Sequence, residues 1–174
     1  MLVGRVLAGE QEVYACLVDR YRERLGRYAV RMLGERADAE EALQDTFVRA
    51  YRSLAGCTKP DGFGPWVYGI LVNRCRTYAA RRTRRQGLVM TADMTTVGAS
   101  VAHSADRDAL REAIGWALDR IPDEQREAFL LKHVEGLSYD EMEESTGVRP
   151  ATLRMRVFRA REELRKLLAE TVRD

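Results

Sequence analysis

The sequence predicts an all-α protein of two small helical domains joined by a flexible linker. Apolar residues recur at steps of three and four along most of the chain, and no stretch alternates long enough for a strand. The helical period lapses between residues 87 and 106, which are rich in Thr, Ser, Ala and Gly. That divides the chain into residues 1–86, a linker 87–106, and residues 107–174.

Tyr14, Leu17, Tyr21, Leu25, Tyr28 and Met32 mark the first helix face, and Gly34 stands where a C-terminal cap belongs. Asp38 with Glu41 three residues on reads as a capping-box-like start to a second helix, striped by Leu43, Phe47, Ala50 or Tyr51, and Leu54. Gly56, Pro60, Gly62 and Gly64 punctuate the chain too densely for a helix, so residues 55–64 read as a loop. Pro65 suits a first helical turn, and Trp66, Val67, Ile70, Leu71, Cys75 and Tyr78 carry a third helix. Asn73, Thr77 and Arg81, at i, i+4 and i+8, form a polar stripe on one side of it.

After the linker, Leu110, Ile114, Leu118 and Ile121 set a helix that stops at Pro122, and another runs over residues 124–134 before Gly136. Ser138 and Glu141 form a capping box, so a short helix starts at Tyr139, and Thr146-Gly147-Val148 supplies the turn that ends it. Pro150 opens the last helix, with Leu153, Val157 and Leu164 inward and Thr152, Arg154, Met155, Arg156 and Arg159 near its exposed N-terminal half. This is helix-turn-helix geometry, suited to a major groove that arginine can read and whose phosphates arginine can hold.

Net charge is only +2, but its distribution is uneven. Residues 35–45 hold five acids against Arg36 alone, whereas residues 66–86 hold six arginines and no acid. The C-terminal half repeats the order, with nine acids over residues 119–144 and a basic segment over residues 149–166. The plainer alternative is that these charges decorate solvated helix faces.

Several function classes are disfavoured. No long uncharged apolar run suits membrane insertion, and the N-terminus lacks the apolar core of a secretory signal, so a cytoplasmic protein is expected. Cys16, Cys57 and Cys75 are odd in number and far apart, which reads as three reduced thiols rather than a disulfide framework or zinc site. His103 falls in the linker, His133 ends a helix, and no phosphate loop, metal constellation or nucleophile motif is present. The expectation is a non-enzyme with no cofactor and no small-molecule substrate. An ordinary helix-turn-helix regulator that binds DNA unaided is the main rival, and it leaves the N-terminal half unexplained.

Residues 38–54 (DAEEALQDTFVRAYRSL), 63–85 (FGPWVYGILVNRCRTYAARRTRR) and 121–167 together resemble the extracytoplasmic-function (group IV) sigma factors, covering almost the whole chain outside the linker. The resemblance implies that residues 1–86 are sigma region 2 and residues 107–174 sigma region 4. It implies binding to core RNA polymerase, through the beta-prime clamp helices and the beta flap, to promoter DNA, and to a cognate anti-sigma factor. The implied polymerase-binding residues are Asp38, Glu41, Gln44, Asp45, Val48, Arg49 and Arg52. The implied minus-ten residues are Lys59, Phe63, Trp66, Asn73, Arg74, Thr77, Arg81, Arg82, Arg84 and Arg85. For the minus-thirty-five element they are Arg149, Thr152, Arg154, Met155, Arg156, Phe158 and Arg159. The sequence departs from the family pattern at Glu143, where a small residue usually packs between the helices of the motif, and at Ser145 and Thr146, which replace commonly apolar residues. Met155 and Phe158 stand where Ser and His often face DNA.

Overall fold

Helices account for every regular element of the computed structural model, which describes residues 2–59, 62–88 and 105–171. In chain order these are α1 (Leu2–Leu7), α2 (Val13–Leu33), α3 (Arg36–Arg52), a 3-10 turn (Leu54–Gly56), α4 (Phe63–Leu88), α5 (Ala105–Leu118), α6 (Asp123–Phe129), a π-helical turn (Leu130–Val134), α7 (Tyr139–Thr146) and α8 (Pro150–Thr171). The segment read as linker lies, over residues 89–104, outside the described residues.

α2, α3 and α4 pack on one another. α2 contributes Leu17, Leu25, Tyr28, Ala29, Met32 and Leu33 to the core, and α4 contributes Val67, Leu71, Val72 and Cys75. The buried stripe of α3 is Ala39, Ala42, Thr46 and Ala50, small residues that let its neighbours approach closely, while Leu43 and Phe47 pack at the margin. Thr46 is fully buried, and its hydroxyl donates to the Ala42 carbonyl at 2.7 Å, so that hydroxyl is not stranded. Gly34 caps α2 as expected, at φ 70°, with its N–H donating to the Val30 carbonyl at 2.8 Å.

Three boundaries differ from expectation. α3 begins at Arg36 with Glu35 at the cap position, so Asp38 lies in its first turn, where its charge favours the helix dipole. α4 begins at Phe63, two residues before Pro65, shortening the loop. The N-terminus forms α1, which buries Val3 and Val6 against α2 and the 3-10 turn.

In the second half α5, α6 and α7 pack on α8, which buries Leu153, Val157, Ala160 and Leu164. α5 follows the expected period, but Leu110 and Ile114 are exposed, and Ala117, Leu118 and Ile121 carry the burial. Among the described residues no helix is long and apolar enough to cross a membrane.

Candidate nucleic-acid interface

The helix-turn-helix is built by local rules. Ser138 accepts from the Glu141 N–H at 3.2 Å while the Glu141 carboxylate accepts from the Ser138 N–H at 2.7 Å, closing the capping box at the start of α7. Gly147, at φ 71°, ends α7 and lets the chain turn, and Pro150 starts α8. The hydroxyl of Thr146 donates to the Met142 carbonyl at 2.7 Å and accepts from the Val148 N–H at 3.2 Å, which fastens the turn. Met142 of α7 is fully buried, whereas Glu143 is exposed, so the cost of burying its carboxylate does not arise.

Arg149, just before α8, is exposed, and α8 turns Thr152, Arg154, Met155, Phe158 and Arg159 to solvent and keeps Arg156 half-buried. Two of its arginines are braced. The Arg154 guanidinium lies 5.0 Å from the Tyr139 ring centre, and Arg156 pairs with Glu124 of α6. Phe158 is 61% exposed and Met155 51%.

On α4, Asn73, Arg81 and Arg84 are exposed, and Trp66, Arg74 and Thr77 are half-buried. Arg81 lies 5.4 Å from the Tyr78 ring centre, and Arg82 donates to the Leu33 carbonyl at 2.5 Å, tying α4 to the end of α2. The Arg85 side chain lies outside the described residues. Lys59 is exposed and paired with Glu144 of α7. Phe63 is only 4% exposed, with its ring against those of Tyr21 and Trp66.

The face of α3 directed away from the core carries Glu41, Gln44, Val48, Arg49 and Arg52, all exposed, with Asp38 and Asp45 half-buried beside them. Apart from Lys59 in the loop after α3 and the buried Phe63, the described candidates lie on α3, on α4, and on or just before α8.

A further set of residues went unrecognised in the sequence. α7 packs on α4, with the Ser145 hydroxyl 2.7 Å from the carbonyls of both Pro65 and Glu141. A Cβ on Gly69 would come within 3.1 Å of the Ser145 carbonyl oxygen, so the absence of a side chain there permits the approach. Glu127 of α6, its side chain 4% exposed, accepts two hydrogen bonds from Arg76, at 2.9 and 2.7 Å. Glu135, 2% exposed, accepts from the Tyr68 hydroxyl and lies 3.4 Å from Arg24. Burial, together with the charge of Glu127, pushes the Cys75 thiol up to about 12 and the Tyr28 hydroxyl well above its ordinary value, so both stay protonated. The one sequence hint was that Glu127 abuts the apolar run Ala128-Phe129-Leu130-Leu131.

Two packed helical units, the second presenting an arginine-framed helix-turn-helix, define a DNA-binding protein. Residues 17–85 match the family model described as Sigma-70 region 2, and residues 111–164 match Sigma-70, region 4. The chain belongs to the extracytoplasmic-function (ECF) RNA polymerase sigma factors. It is 32% identical to the ECF RNA polymerase sigma-E factor of Haemophilus influenzae, over 92% of this chain and 90% of that one. It is 34% identical to the ECF RNA polymerase sigma factor SigE of Mycolicibacterium smegmatis, over 88% of this chain but spanning only 61% of that protein. Among solved structures, CnrH in complex with the cytosolic domain of CnrY matches at TM-score 0.72 and 25% identity, over 97% of this chain and 96% of that one. The Bartonella quintana sigma factor RpoE, in complex with the anti-sigma factor NepR, shares the fold at TM-score 0.73 and 23% identity, over 90% and 96%.

Proposed function

We propose that this protein is a promoter-specificity subunit of bacterial RNA polymerase that works through the surfaces on α3, α4 and α8, with residues 1–86 and 107–174 as its working domains and 87–106 as their connection. The observation that carries this reading is the polar stripe of Asn73, Thr77 and Arg81 on α4, its two ends exposed and Thr77 half-buried, on a 21-residue stretch without an acid, in the same chain as a helix-turn-helix.

Glu41, Gln44, Asp45, Val48, Arg49 and Arg52, with Asp38, dock on the polymerase clamp. Lys59 and the loop after α3 approach a base unstacked from the minus-ten element, beside Trp66, Asn73 and Arg74, because separated bases are read by stacking and edge contacts. Thr77, Arg81, Arg82 and Arg84 flank the backbone there, Arg82 once released from the Leu33 carbonyl. Such phosphate contacts strengthen binding without reading sequence and weaken with salt. The N-terminal half of α8 enters the major groove of the minus-thirty-five element, where Arg149, Thr152, Arg154, Arg156 and Arg159 hold phosphates and base edges. The chain contributes no catalytic group, since bond formation belongs to polymerase, and it acts in the cytoplasm. A cognate anti-sigma factor controls it, as the anti-sigma complex of the similarly folded Bartonella protein supports.

The test is a gel shift of promoter DNA with the protein alone, with core polymerase alone, and with both. A specific complex that needs both components is expected; strong specific binding by the chain unaided would overturn the reading in favour of a free-standing regulator.

A further inference from the structure

We infer that Met155 and Phe158 read thymine methyl groups in the upstream promoter element. The inference rests on the placement of α8 in the major groove and adds which base that helix selects.

Leu153, Val157, Ala160 and Leu164 fix the inward side of α8, so the residues opposite them are set by the helical period. Met155 and Phe158 lie there, 51% and 61% exposed. They are three residues apart and therefore neighbours on one face. Beside this crest Ala151 is small and exposed, and the other flanking positions are polar or cationic: Arg149, Thr152 and Arg159 are exposed, Arg154 rests on Tyr139, and Arg156 is held by Glu124. The first acid of α8 is Glu162, one turn beyond Phe158. Two large apolar side chains thus stand out from a cationic surround at the end of the helix that meets base edges.

In the major groove the only apolar group that a base presents is the C5 methyl of thymine, whereas guanine, adenine and cytosine present hydrogen-bonding edges. Phenylalanine offers no donor or acceptor and methionine only a weak acceptor, so either would strip water from a polar edge without replacing it. Against thymine the same side chains bury a methyl group and leave no polar atom unpaired. Residues three apart on a helix rise by about 4.5 Å, against a base-pair step of about 3.4 Å, which places the two contacts on thymines in adjacent or next-adjacent pairs. The braced arginines on either side keep the crest from sliding along the groove.

The experiment enriches a promoter library, randomised only in the upstream element, for binding to full-length protein assembled with core polymerase. An element containing two thymines no more than two base pairs apart is expected. Replacing each by deoxyuridine, which lacks only the methyl, should weaken binding about fourfold per site, the size expected for one buried methyl group. Phe158→Ala should abolish the uracil penalty at one of these positions and Met155→Ala at the other. Both side chains are solvent-exposed, so each variant should fold, and circular dichroism checks this. Failure to enrich any upstream element would overturn the groove-binding reading and this inference with it. An enriched element in which uracil serves as well as thymine, or a penalty that both alanine variants retain, would overturn this inference alone.

Discussion

Replacing Arg76 by methionine would leave the Glu127 carboxylate without its bidentate partner at a place where its side chain is only 4% exposed. Removing one member of a buried ion pair costs about 3–5 kcal/mol when the other remains buried. Arg76 is itself 41% exposed, so water reaches the pair, and a loss of about 2 kcal/mol is the better figure. Glu127 of α6 is held by the first domain through the two hydrogen bonds it accepts from Arg76 of α4. The molecule can therefore escape the penalty by parting the domains and rehydrating the carboxylate. The measurable loss cannot exceed the free energy of docking, and it should register as expansion before unfolding. X-ray scattering on Arg76→Met should show a radius of gyration several ångströms larger than that of the wild type, which if compact should lie near about 16 Å for 174 residues. Helical content should be unchanged. Adding Glu127→Gln should restore part of the loss, with a coupling of about 1–3 kcal/mol in urea unfolding. Wild-type scattering and wild-type stability for Arg76→Met would refute the claim that this pair joins the domains.

Three further outcomes are expected. Ser138→Ala removes the capping hydroxyl that accepts from Glu141, costing about 1 kcal/mol and lowering the melting temperature by roughly 2–4 °C; an unchanged melting curve would contradict the role of the cap. Asp45→Arg should weaken retention on immobilised core polymerase about tenfold with the circular dichroism spectrum intact, and wild-type retention would remove Asp45 from the docking surface. Thiol titration should find the exposed Cys16 fastest, with Cys75 silent below pH 10 until the chain unfolds, because burial holds its thiol up to about 12 and only the thiolate reacts. Rapid modification of Cys75 in the folded protein would show that it is not buried.

What could be read from the sequence was what local chemistry decides. Gly34 and Gly147 had to be left-handed caps because a helix ended before each, and the Ser138–Glu141 spacing fixed where α7 begins. The acid-free stretch of α4 and the outward arginines of α8 were equally visible. α1 escaped because six residues are too few to display a period, and α3 was placed late because Asp38 resembles a cap although Glu35 takes that position. Leu110 and Ile114 keep a helical period yet face solvent, since periodicity gives a face and not what covers it. The contacts of Arg76, Tyr68, Gly69 and Ser145 were not legible because they depend on pairing distant segments. In sequence, Arg76 is indistinguishable from the other arginines of its run. The same limit applied to Glu143, which the family resemblance set between the helices of the motif and which is exposed, while its neighbour Met142 is buried.

Run-off transcription decides whether this chain confers promoter-specific initiation on polymerase. Purified core polymerase is supplied with this protein and a DNA template carrying a promoter selected by the assembled enzyme. A discrete transcript that requires the protein and falls with substitution at Asn73 or with loss of the α8 arginines is expected. Transcription that proceeds equally without the protein, or a protein that binds the promoter but never supports initiation, would contradict it.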